Sequence, residues 1–144
     1  MEKKNLQKSI TVNATAKEAL KNIAQVKKWW AKNCTGNAKR PNDTFTVHFG
    51  ETFVDFEISE LIPEKRVVWK VTDCHLHWVK KKKEWKGTQV VFDISERKNG
   101  TRIRLTHEGL NADCECYEDC RTGWAHHLKK GLALLIEEGK GFPM

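Results

Sequence analysis

From Thr44 to His107 the chain alternates apolar and polar residues with a period of two, and from about Asp113 to Glu138 the apolar spacing becomes helical. That switch constrains the fold more than any other feature. A period of two sends successive side chains to opposite faces of a sheet, whereas apolar residues three and four apart line one face of a helix. Phe45, Val47 and Phe49 share a face; Gly50 and Glu51 turn the chain; Val54, Phe56 and Ile58 line the next strand; after Pro63 come Val67, Trp69 and Val71. Beyond an irregular stretch, Thr88, Val90, Phe92 and Ile94 alternate with Gln89, Val91, Asp93 and Ser95. A hairpin turn of the Asn-Gly type at Lys98, Asn99 and Gly100 then leads to inward Ile103, Leu105 and His107. The runs predict an antiparallel meander.

The N-terminal part adds one strand and two short helices. Lys8 to Asn13 alternates, with Ile10 and Val12 on one side. Thr15 is placed as an N-cap with Glu18 three residues on, and Ala19, Leu20, Ile23 and Val26 form an apolar stripe. Val26 to Ala31 suits a second short helix, and Asn33 to Asp43, with Gly36 and Pro41, reads as a loop. Six strands are expected in all. The closing helix, with Asp113, Glu115, Glu118 and Asp119 in its opening turns and Gly139 as its stop, has about 24 residues, roughly 36 Å at the usual rise. An α+β fold follows, in which a curved six-stranded antiparallel sheet wraps a long C-terminal helix.

The length of 144 residues suits a single domain spanning 1–144. Five cysteines, an odd number, and an N-terminus without an apolar leader argue against a disulfide-stapled secreted module and for reduced thiols in the cytoplasm. No run approaches the ~18 apolar residues of a membrane span. The formal charge of +7 bears on solubility and encounter more than on any site. Lys80 to Lys83 lie between Trp78 and Trp85, an arrangement able to stack bases and bind phosphates, but without a nucleic-acid-binding motif the run reads as a solvated loop or a charged sheet edge.

The stretch ADCECYEDCRTGW, residues 112–124, holds three of the cysteines. Every fourth residue gives Cys116, Cys120, Trp124, Leu128, Leu132 and Ile136, one ridge facing the sheet, so two thiols continue the apolar stripe. A zinc site from Cys114, Cys116 and Cys120, with His107 or His127, would need paired CxxC-type spacing that is absent. His126 and His127 are adjacent and point to different helix faces. No GxSxG, HExxH or phosphate-binding glycine loop is present, and a dyad of Cys120 with His107 would rest on an unknown distance. Six tryptophans in one small chain are harder to absorb. Large inward aromatics can fill a core, or can together line an apolar cavity with a few polar groups. His107 is the inward polar group on the last strand, and Tyr117 and Cys120 would approach it from the helix.

The segments EWKGTQVVFDI, GTRIRLTHEGL, ECYEDCRTGW and GLALLIEEGKGFP resemble the START-like (SRPBCC, birch-pollen-allergen-type) superfamily, and within it the family named after the activator of heat-shock protein 90 ATPase. The resemblance runs from about Lys8 to Gly139. It implies the helix-grip fold and an internal cavity for a small hydrophobic or aromatic ligand such as a lipid. The cavity positions carried over are Trp30, Phe56, Trp69, Phe92, His107, Tyr117, Cys120 and Trp124. It supplies no invariant catalytic set, so no catalytic residue, metal or cofactor is assigned. Two alternatives stand beside ligand binding. One is a chaperone-regulating or other protein-interaction module, although the chaperone role belongs to relatives carrying a second, N-terminal domain for which 144 residues leave no room. The other is a cyclase- or hydrolase-like enzyme on a cyclic or aromatic substrate, with His107 as acid or base.

Overall fold

The computed structural model describes residues 4–144. Strands β1 (Leu6–Val12), β2 (Asn33–Gly36), β3 (Thr44–Phe49), β4 (Thr52–Ile62), β5 (Arg66–His75), β6 (Gln89–Arg97) and β7 (Gly100–Glu108) form one antiparallel sheet in the order β1-β7-β6-β5-β4-β3-β2. Between β1 and β2 lie two short helices, α1 (Ala16–Ile23) and α2 (Val26–Trp29). The chain closes with α3 (Tyr117–His126), a π-helical stretch (His127–Leu132) and α4 (Ala133–Glu138), which together form the long C-terminal helix. This is the helix-grip arrangement, with seven strands where six are expected.

The alternation in the sequence reappears as register. Phe45 pairs with Phe56, Ile58 with Trp69, Trp69 with Val90 and Phe92 with Leu105, so the inward set of each strand meets that of its neighbour. The β4–β5 ladder carries two register shifts, between Asp55 and Phe56 and between Ile58 and Glu60, the kind of irregularity that bends and twists a sheet. Thr15 caps α1 as its position suggests, accepting from the Glu18 amide at 3.1 Å.

Two expectations need correcting. The segment read as a loop from Asn33 contains β2, an edge strand paired with β3 from Asn33↔His48 to Gly36↔Phe45. Backbone pairing holds it, since only Cys34 of its four residues is buried, and a strand with one inward side chain carries no periodicity. Gly36 ends it at φ 93°, with its Cα so close to the Thr44 carbonyl that a Cβ would collide there. The C-terminal helix, expected from Asp113, begins at Tyr117. Residues 113–116 are turns because the Glu84 carboxylate, from a distant loop, accepts from the Glu115 and Cys116 amides at 2.8 and 2.9 Å and caps the helix from outside.

The helix also departs from α geometry where it meets α2. Gly131, within the π-helical stretch, packs so closely on the Trp29 carbonyl that a Cβ would overlap it. The backbone of residue 144 pairs with α2's exit: the Met144 amide donates to the Trp30 carbonyl at 3.0 Å, and the Lys32 amide donates to the Met144 carbonyl at 2.8 Å. Among the described residues no helix is long and apolar enough to cross a membrane.

Candidate functional site

Three tryptophans from different parts of the chain converge where the C-terminal helix faces the sheet. Trp30 follows α2, Trp85 lies in the loop between β5 and β6, and Trp124 projects from α3 on the ridge that begins at Cys116 and Cys120. Trp30 and Trp124 have ring centroids 4.9 Å apart, and Trp85 stacks on Trp124 at 6.0 Å with planes 13° apart. Together with Phe49, Val54 and Leu76 they wall a cavity of about 320 Å³. Its polar groups are few: Thr52, Asp119 and His127, with the Cys120 thiol. Gly123 completes the helix side, and a Cβ added there would meet nothing within 4 Å. At the mouth Trp78, 48% exposed, donates its indole N–H to Asp119 Oδ2 at 3.2 Å.

A larger groove of about 610 Å³ runs beside α1, but it is lined by Lys17, Lys21 and Lys39 with Gln25 and aliphatic residues such as Leu20 and Leu61, and no aromatic ring. The smaller, aromatic-walled cavity is the better candidate, because concave apolar walls with a few convergent polar groups are what small-molecule sites have in common.

The eight positions carried over from the sequence fall into three groups. Trp30, Cys120 and Trp124 line the cavity. Phe56, Trp69, Phe92 and His107 sit in the packed layer behind it: Trp69 stacks on Trp30 at 6.0 Å, Phe56 meets Trp30 edge-on at 5.7 Å, and Phe92 meets Trp69 at 4.7 Å. Tyr117, partly buried at the start of α3, packs on the core away from the lining. Trp85, His127, Thr52 and Gly123 border the cavity as well, and sequence reasoning does not find them. For Trp85 the four lysines before it speak for solvent, and only its aromatic character argues otherwise.

His107 is 0% exposed, and both ring nitrogens are occupied. Trp124 Nε1–H donates to Nδ1 at 3.1 Å. An indole nitrogen can only donate, so Nδ1 is the acceptor and the proton of the neutral ring sits on Nε2. Nε2 lies 2.8 Å from Thr88 Oγ1, whose own proton goes to the Trp85 carbonyl at 2.6 Å. The chain Trp124 to His107 to Thr88 to Trp85 therefore runs in one direction and ends on backbone. Burial pushes the His107 pKa down to about 3, keeping the ring neutral. Its geometry makes it a brace that fixes two walls of the cavity.

The thiols serve as wall as well. Trp85 Nε1–H points at Cys120 Sγ, 3.3 Å away. A hydrogen bond with Cys120, reinforced by burial, drives the Cys116 pKa upward, away from the thiolate that nucleophilic or metal-binding chemistry needs. Cys114, half-buried, directs its thiol at the Gly109 carbonyl at 3.8 Å. Among the described residues no three His, Cys, Asp or Glu side chains cluster as metal ligands would.

The lysine loop is clasped to the helix it covers. While Glu84 caps the start of α3, Glu115 accepts from the Lys80 and Lys81 amides at 3.0 to 3.1 Å. These backbone donors hold the Glu115 carboxyl below its ordinary range. The loop and the start of the helix thus each supply a carboxylate to the other's backbone.

The sequence matches the family model described as activator of Hsp90 ATPase homolog 1-like protein over residues 18–137. Among solved structures, the Aha1 dimer from Colwellia psychrerythraea superposes with a TM-score of 0.76 at 26% identity, covering 95% of this chain and 98% of that one. Protein MLL2253 from Mesorhizobium loti superposes with a TM-score of 0.75 at 16% identity, covering 92% and 96% of the two chains. DynU16, from the dynemicin biosynthetic locus, gives 0.72 at 16% identity over 96% of this chain and 49% of its own. The last two are likenesses of fold. No curated protein matches the chain.

Proposed function

The chain belongs to the activator of Hsp90 ATPase homolog 1-like family, and from that premise we propose that it binds a small hydrophobic or aromatic ligand in the cavity between the curved sheet and the C-terminal helix. The observation that carries this reading is the unfilled space of about 320 Å³ inside a wall of Trp30, Trp85, Trp124 and Phe49. Side chains that served only as core would close over such a space, because interiors pack without voids larger than a water molecule. A wall braced by hydrogen bonds to His107 and Cys120 holds it open, at no cost in unpaired indole N–H groups for Trp85 and Trp124. The five free thiols suit a reducing, cytoplasmic setting.

Native mass spectrometry of the protein as purified tests the reading directly. An adduct of organic mass that is lost on denaturation supports it. A bare protein, with no shift of the melting temperature across a panel of aromatic and lipid ligands, overturns it.

The family's name favours a second reading, a protein-interaction module acting on a chaperone. Its structural support is Trp78, a large aromatic 48% exposed beside the lysine loop. A pull-down at moderate salt separates the two: stoichiometric capture of a chaperone that is lost in Trp78→Ala would favour the module, while a ligand carrier should retain nothing.

A further inference from the structure

Three buried side-chain polar atoms lack a hydrogen-bond partner among the described residues: Trp69 Nε1, Arg104 Nε and His127 Nδ1. Of these residues only His127 lines the tryptophan-walled cavity. It is 7% exposed, opens the π-helical stretch of the C-terminal helix, and makes no side-chain hydrogen bond to any described residue. A π-turn within an α-helix often marks a functional position. Nδ1 is the sealed nitrogen, whereas Nε2 has no partner among the described residues either and is not sealed, so it is the ring atom a guest in the cavity can reach. Thr52, 6% exposed, lines the same cavity. Its oxygen accepts from the His77 amide at 2.9 Å, while its own O–H has no acceptor among the described residues. The cavity therefore presents an unpaired imidazole and a spare hydroxyl donor within aromatic walls.

We propose that the guest is a neutral hydroxylated aromatic of the phenol class, its ring against Trp30, Trp85 and Trp124 and its hydroxyl paired with His127 and Thr52. A phenol O–H donates to an imidazole nitrogen and accepts from Thr52, satisfying both groups at once. A carboxylate guest fits less well. Burial, aided by neighbouring His126, lowers the His127 pKa to about 4, so the ring supplies no positive charge at neutral pH, and Asp119 at the mouth is itself acidic. This inference rests on the ligand-binding reading of the cavity and adds the chemical class.

Isothermal titration of the full chain with naphthalene, naphthol and naphthoate tests it. Naphthol should bind about tenfold more tightly than naphthalene, the yield of a buried hydrogen bond or two, and naphthoate should bind more weakly than naphthol. His127→Phe should bring the ratio of naphthol to naphthalene affinity down to about one, whatever it does to the affinity for either ring alone. Should that variant fail to fold, Thr52→Val is the substitute, with the preference expected to fall. Equal affinity for naphthol and naphthalene, tighter binding of naphthoate, or a preference that survives both substitutions would overturn the phenol assignment and leave the cavity reading standing. Binding of none of the three probes, together with a bare mass in the native spectrum, would remove both.

Discussion

Trp124 donates its indole N–H to Nδ1 of His107 across 3.1 Å, joining the C-terminal helix to the last strand at a point sealed from solvent. The bond decides the tautomer of the histidine and the tilt of the indole together. Trp124→Phe should leave Nδ1 buried and unpaired, a loss of about 1–3 kcal/mol in chemical denaturation. Nitrogen chemical shifts of His107 in the intact protein should report an Nε2-protonated ring, unchanged from neutral pH down to about pH 5.

Stability should depend on pH through the buried histidines. Burial depresses the folded pKa of His107 to about 3 and of His127 to about 4, against an ordinary value of 6.5. As pH falls, the unfolded chain is the first to take up protons at these positions. Their contribution is therefore complete above about pH 6.5 and is lost progressively as pH falls towards the folded values. Around pH 5 the slope of unfolding free energy against pH should approach two protons from this pair, and His127→Phe should reduce it by one.

Gly123 faces open space, with nothing within 4 Å of the position a Cβ would take. Gly123→Leu should fill part of the cavity and, because glycine costs about 1 kcal/mol relative to good helix formers, leave the melting temperature equal or higher. Binding of any aromatic guest should disappear. Retained affinity would place the ligand elsewhere.

The Glu84 carboxylate stands in for a helix N-cap, accepting two amide protons at the start of α3. Glu84→Ala should cost about 1 kcal/mol, as the loss of a capping side chain does. Amide exchange should quicken at Glu115 and Cys116 first. If instead Lys80 and Lys81 lost protection in step with them, the two halves of the clasp would be a single cooperative unit.

Thiol accessibility offers a simple check on packing. Cys34, Cys74, Cys116 and Cys120 are buried and Cys114 is partly exposed. Alkylation of the native protein should modify Cys114 alone, and denaturant should release the other four.

Strands that bury one face declare themselves in sequence, which is why β3 to β7 and their turns are readable from Phe45, Val54, Trp69, Phe92 and Leu105 alone. The edge strand β2 is not, since its pairing is backbone work and Cys34 is its single inward side chain. The helix start is hidden for a similar reason. Acidic residues near 113 signal a positive helix end, but the carboxylate that caps α3 comes from Glu84, about thirty residues earlier, and no local pattern reveals it. At the site, four-residue spacing is enough to aim Cys120 and Trp124 at the sheet. It cannot separate the cavity's front wall from the layer behind, because Phe56, Trp69 and Phe92 alternate in the same way as lining residues do. That distinction depends on the bulges in the β4–β5 ladder, a property of two strands together.

The indoles also have an optical consequence. Trp29 lies 6.2 Å from Trp30, Trp30 lies 6.0 Å from Trp69 and 4.9 Å from Trp124, and Trp124 lies 6.0 Å from Trp85. At such separations excitation absorbed by one ring migrates among all five before it is emitted. A molecule that quenches the ring nearest the opening thereby dims the whole array, so the walls report occupancy of the space they enclose without any added dye.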